Sequence, residues 1–170
     1  MTPEEIRPAR LRRERAQARL AKHIRDGHWY VTLIANEAVL GVGEENDNPP
    51  FVQFAWRDDL RLQVEAQGDH YREEPYSETQ HRLLRNLGYS APFELGDDYC
   101  NWTVFRDAEG CEPRSVATLM IETLWLVHGV HFQSRDVSSR LGLSFWTFQF
   151  WVSPTKRDIR AEIERRFRHA

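Results

Sequence analysis

Few residues of this 170-residue chain are spaced for chemistry. His128 and His131, in the run His-Gly-Val-His, stand three apart, a spacing that can set two metal ligands on one helix face. Gly129 between them breaks helices, and no acidic or sulfur partner stands nearby, so both are expected to be surface histidines at a helix end. Asp58-Asp59, Glu73-Glu74 and Asp97-Asp98 are carboxylate pairs. Acid–base catalysis needs two carboxylates in different environments across a cleft, whereas neighbours in polar runs read as solvated turns. Glu65 lies on the polar side of an alternating strand and is expected to be exposed. Glu122, within an apolar helix, needs a partner if buried, either an arginine of another element or of a second subunit; otherwise it marks the helix's one wet edge. Cys100 and Cys111 fit no zinc pattern and form no CxxC, and read as reduced bystanders. A nucleophile elbow, a phosphate-binding loop, a dinucleotide fingerprint and an HExxH pair are all missing, and Gly41-Val42-Gly43 lacks the rest of any phosphate cradle. The expectation is a non-catalytic protein with no cofactor and no metal.

A different feature stands out at 143–152, LSFWTFQFWV, which packs Phe145, Trp146, Phe148, Phe150 and Trp151 into one short stretch. Left free it would be an aggregation segment, so something must cover it. It either adds an edge strand to the chain's own sheet or docks in a groove, its own or a neighbour's. Pro154 stops it, and 155–168 reads as a basic helix.

The elements that must hold these residues can be read in order. Pro3 and two glutamates open a helix that Gly27 closes; its apolar positions Ile6, Leu11, Leu20 and Ile24 are sparse, which predicts a surface helix held by one narrow stripe. Strands are expected at 29–35, 51–57 and 60–67. In the second, Val52, Phe54 and Trp56 share a face; in the third, Leu60, Leu62, Val64 and Ala66 do, and the two form a hairpin around Arg57-Asp58-Asp59. Residues 41–50 read as a polar loop. Ser77 caps a helix whose inward stripe is Leu83, Leu84 and Leu87 and which ends at Gly88. A strand at 99–106 follows. Pro113 starts a helix to about His128 that is apolar nearly all round, and such a helix is buried on more than one side.

The chain is 41% apolar and 29% charged, enough for one sizeable core. No stretch nears the ~20 apolar residues of a membrane span, and MTPEEIRPAR has no apolar signal region, so the expected compartment is the cytoplasm. The net charge of −3 hides an uneven pattern: residues 1–26 carry eight Lys/Arg and four Asp/Glu, 27–152 nine and nineteen, 153–170 six and three. An acidic body repels phosphate, and the basic ends carry no aromatics spaced for base stacking, which argues against nucleic acid as a partner.

The ordered series Tyr30-Val31-Thr32-Leu33, Phe51-Val52-Gln53-Phe54-Ala55 and Leu62-Gln63-Val64-Glu65-Ala66 continues through Leu84-Arg85-Asn86-Leu87-Gly88-Tyr89-Ser90-Ala91-Pro92, then Asn101-Trp102, then Thr123-Leu124 to His128-Gly129-Val130. Over about residues 28–131 it resembles the actinobacterial family of YbjN-like, type III secretion chaperone-like domains, described as peptide-binding chaperones. The resemblance implies an α+β fold with an antiparallel sheet and helices on one face. It also implies a protein or peptide partner, a homodimer and no cofactor. It supplies no catalytic residues. The expected division is 1–27 as a basic helix, 28–131 as the shared domain and 132–170 as an extension. Phe51, Phe54, Trp56, Leu62, Trp146, Phe148 and Phe150 are the candidates for contacting a partner polypeptide, with Leu119, Glu122, Trp125 and Leu126 for the dimer. The alternative is a structural or regulatory homo-oligomer assembled through the aromatic segment.

Overall fold

A computed structural model of the chain describes residues 3–35, 50–57, 59, 61–72, 74–107, 111–129 and 148–152. The architecture is α+β. Helix α1 (Pro3–Arg25) leads into strand β1 (Tyr30–Ala35), followed by β2 (Phe51–Trp56) and β3 (Leu62–Ala66). A 3-10 turn (Asp69–Tyr71), helix α2 (Glu78–Asn86) and β4 (Trp102–Arg106) come next. Helix α3 (Pro113–Glu122) runs on into a π turn (Thr123–Val127), and β5 (Phe148–Val152) completes the sheet. The strand order is β4-β3-β2-β1-β5, with every neighbouring pair antiparallel.

Alternation along the strands sorts the side chains. Val31, Leu33, Val52, Phe54, Trp56, Leu62, Val64, Ala66, Trp102 and Val104 are buried on one face, and the register sets them opposite one another, as in Val31↔Phe54↔Val64↔Val104. Leu84 of α2 and Val116, Ala117, Met120, Ile121, Leu124 and Val127 of α3 and its extension complete that core. The described part of the aromatic segment, 148–152, joins the chain's own sheet. β5 pairs along β1, with positions 148, 150 and 152 in register with Ala35, Leu33 and Val31.

Helix α1 holds on by the expected stripe, but the stripe reaches deep. Ala16, Leu20, Ala21 and Ile24 are all buried, and the helix lies against α3. The apolar circumference of α3 is thus used twice, towards the sheet and towards α1. Leu11 stays exposed, and Ile6 lies outside the residues whose side chains are described.

Local chemistry accounts for the helix ends. Ser77 and Gln80 form a reciprocal capping box at the start of α2. At the other end Gly88 takes φ +92°, a left-handed conformation open to a residue without Cβ, and Tyr89 N–H reaches back to Leu84 O at 3.0 Å. The expected single helix from Pro113 to His128 instead widens at Thr123. The Thr123 hydroxyl donates to Leu119 O at 2.8 Å and meets Tyr89 Oη at 3.0 Å, which competes with the regular ladder, and His128 N–H bonds Thr123 O five residues back. The wider turn keeps Thr123, Leu124 and Val127 buried and brings Trp125 and Leu126 to the surface.

The two sheet edges differ. On the outer side of β4, Ser90 N–H donates to Thr103 O (2.8 Å) and Thr103 N–H to Ser90 O (3.0 Å), while the Arg106 guanidinium donates to Phe105 O (3.2 Å). No described residue pairs with the outer side of β5.

Candidate functional site

The sheet face away from the helices carries polar residues at alternate positions of three adjacent strands, and they bond across it. Thr32 Oγ1 donates to Gln53 Oε1 (3.1 Å) and Gln53 Nε2 to Glu65 Oε2 (2.6 Å). Gln63 Nε2 donates to Glu65 Oε1 (2.6 Å), and Arg57 Nη1 to Gln63 Oε1 (3.2 Å). Each amide donates on one side and accepts on the other, so the row bonds continuously across the face.

Gln63, Glu65 and Arg57 of this network line a groove of about 810 Å³, together with Ala55 and Trp56. Trp29 and Tyr99 line its sides, and Asp59 and Asp98 stand with Arg57 at its margins. Short-range geometry places them. The hairpin between β2 and β3 closes through Arg57 N–H to Arg61 O at 2.9 Å and presents Asp59. The Arg61 backbone N–H (3.1 Å) and guanidinium (2.7 Å) both donate to Asp59 and hold its carboxyl below the usual range. Trp29 is fixed through its carbonyl, which accepts from Trp56 N–H at 2.7 Å, and its ring meets Tyr30 edge-on at 5.7 Å. Tyr99 ends a compact turn in which Phe93 N–H donates to Tyr99 O (2.7 Å) and Tyr99 N–H to Gly96 O (3.1 Å); its ring stacks edge-on to Phe105 at 5.7 Å. The result is a concave strip with aromatic sides, hydrogen-bonding groups along the floor and a surplus of carboxylates.

A second concavity of about 400 Å³ lies between α2, the 3-10 turn and the 91–93 loop. Phe93, Trp102, His81 and Arg85 are among its lining residues. Its polar groups are internally matched: His81 Nε2 meets Asp69 Oδ2 at 2.9 Å, and Arg85 pairs with both carboxylate oxygens of Glu94.

The expected partner-contacting residues divide. Phe54 and Leu62 have no exposed surface and Trp56 keeps 4%. Phe54 and Leu62 fill the core beneath the helices, which removes them from any contact surface of this conformation, whereas Trp56, though nearly buried, belongs to the lining of the groove. Phe51 is half-buried on the open face opposite Ile34. Phe148 and Phe150 sit in β5, and Trp146 lies outside the described residues. Of the dimer candidates, Leu119 and Glu122 are half-buried, and Trp125 (40%) and Leu126 (41%) are exposed. Trp29, Asp98 and Tyr99 were not foreseen as site residues. The polar alternation Gln53, Gln63, Glu65 was the signal for the floor.

The expected chemistry is also relocated. No group of three or more His, Cys, Asp or Glu suited to a metal occurs among the described residues, and His131 lies outside them. Cys100 and Cys111 are free thiols. His128 is half-buried at the helix end rather than free at the surface that its position suggested. The Tyr76 hydroxyl donates to Gln67 O at 3.0 Å, leaving its oxygen to accept from a His128 ring N–H at 3.3 Å. Burial, with the nearby Arg72 charge, pushes the His128 pKa down to about 3 from 6.5. The folded state therefore holds this imidazole neutral. Below pH 6.5 the unfolded chain takes up a proton that the folded chain refuses until about pH 3. Stability from this group is complete above pH 6.5 and is lost as pH falls towards 3, at about 1.4 kcal/mol per pH unit. Urea midpoints recorded down to about pH 4 are expected to fall less steeply for His128→Gln than for the parent, by about one proton's worth. Parallel curves would refute the buried neutral state.

No described helix is long and apolar enough to cross a membrane. Comparison with curated proteins and with solved structures found no match. A family profile, TY-Chap3, described as T3SS (YopN, CesT) and YbjN peptide-binding chaperone 3, matches residues 14–135. The match begins inside α1, in the half of the helix whose Ala16, Leu20 and Ile24 are buried, and runs past the π turn. With more than half of its length covered, and with the antiparallel sheet and one-sided helices in place, the chain belongs to the TY-Chap3 family of peptide-binding chaperones.

Proposed function

We propose that this protein is a non-catalytic, cytoplasmic adaptor that holds an extended segment of a partner polypeptide in the groove on the open face of its sheet. The groove itself is the observation that carries the reading: about 810 Å³, aromatic at the sides, with hydrogen-bonded amides and a carboxylate along the floor. An extended chain brings N–H and C=O groups at regular spacing and side chains on alternate sides, and such a surface serves both. Replacing Tyr99 with the photo-crosslinking residue p-benzoylphenylalanine in a lysate of the source cells is expected to trap a polypeptide. The same residue at Glu78, exposed at the start of α2, is expected to trap none. Capture at Glu78 with none at Tyr99 refutes the groove.

One observation favours a homodimer in addition. Trp125 and Leu126 lie side by side and exposed on the π turn, with the Arg13 guanidinium 4.6 Å from the Trp125 ring. Sedimentation velocity of Trp125→Glu is expected to show monomer where the parent shows dimer; an unchanged mass removes this face as the interface.

A further inference from the structure

Residues 27–152, which include β1 to β5, hold nineteen Asp/Glu against nine Lys/Arg. The groove samples that imbalance, since Asp59, Glu65 and Asp98 line it with Arg57. Two of these charges are already engaged. Arg61 bonds Asp59, and Arg57 donates to Gln63. Glu65 is in a different position. It lies half-buried on the floor, and its two oxygens accept one bond each from Gln53 and Gln63. Amides orient a carboxylate but bring no compensating charge. A carboxylate has about four lone-pair sites, so about two remain to be filled. Among the described residues no cation pairs with it. A partly desolvated carboxylate is costly until a cation meets it, and the side from which one can arrive is the groove.

We infer that the groove takes a basic extended peptide, with an arginine or lysine side chain of the bound segment seated against Glu65. The rings of Trp29 and Tyr99 along the sides suit the same occupant, because an aromatic face attracts a cation. Arginine fits better than lysine, since its planar fork can use both free directions of a fixed carboxylate. The negative body adds a long-range attraction that speeds encounter with a basic segment and fades with salt. The inference rests on the groove being the peptide site, as proposed above.

The test uses the full chain and three fluorescein-labelled peptides of equal length, in which valine alternates with arginine, glutamine or glutamate. Fluorescence anisotropy is expected to show the arginine peptide binding about tenfold tighter than the glutamine peptide, and the glutamate peptide weakest. Added salt narrows the gap. In Glu65→Gln the ratio between the arginine and glutamine peptides is expected to collapse towards one. The fold should tolerate this change: the Gln53 amide can turn over, with the Thr32 hydroxyl then accepting instead of donating, and circular dichroism checks that it does. Equal binding of the peptides, or a ratio that survives Glu65→Gln, overturns the basic preference. If that equal binding is abolished by Ala55→Trp, at a position lining the groove, the groove reading stands without it. Absence of any peptide binding, or binding indifferent to Ala55→Trp, removes the groove reading and the preference with it.

Discussion

Gly68→Ala is expected to lower the stability of this protein by about 3 kcal/mol, at the upper end of what overpacking costs. A Cβ at this position would stand 2.2 Å from the carbonyl oxygen of Cys100, 3.2 Å from its carbon and 3.4 Å from Asn101 Cα. These are backbone atoms, so no side chain can rotate away. Backbone conformation is not the difficulty, because Gly68 has φ −81° and ψ 157°, which alanine adopts freely. The cause is proximity. Gly68 N–H donates to Asn101 Oδ1 at 2.9 Å, drawing the end of β3 onto the start of β4 just beyond the Ala66↔Trp102 pair. Relief of the clash must stretch that bond or shear the two strands. For a chain of this size the melting temperature should fall by roughly 6–12 °C. A loss below about 0.5 kcal/mol in urea titrations would contradict the close approach.

Leu20→Ala carries the second large effect, about 2–5 kcal/mol, as for other fully buried leucines. Leu20 has no exposed surface and sits with Ala16 and Ile24 on the stripe that α1 turns towards the core. Leu11, two turns earlier, is 47% exposed, so Leu11→Ala on the same helix should stay within about 0.5 kcal/mol. The pair of variants separates packing from helix propensity, because both make the same exchange in one helix. Equal losses at the two positions would mean that α1 is attached by propensity or charge and that the core closes without it.

What could be read in advance follows the range of the interactions responsible. The capping box at Ser77, the stop at Gly88 and the start at Pro113 depend on residues within one turn, and each is legible in the chain. The alternation in β2 and β3 showed which residues share a face. It did not show which elements cover that face, and so Phe54, Trp56 and Leu62 were candidates for contacting a partner, whereas Phe54 and Leu62 lie wholly in the core and Trp56 keeps 4% of its surface, in the lining of the groove. That choice is made by α1 and α3, tens of residues away. The groove was hidden for the same reason: Trp29, Glu65 and Tyr99 come from three separate segments and meet only through strand pairing. His128 looked like a helix-end surface residue because nothing near it in the chain announces Tyr76, fifty-two positions earlier.

The unequal sheet edges bear on assembly. Ser90 already occupies the bonding groups of Thr103, and the Arg106 side chain occupies the Phe105 carbonyl, so the β4 side offers poor docking for another strand. Among the described residues the unpaired edge is that of β5, so two copies meeting edge to edge would meet there, and a union of like with like about a two-fold axis would leave no second valence. Growth by this route would stop at two, which would keep a chain rich in strand-forming aromatics from extending into a ribbon.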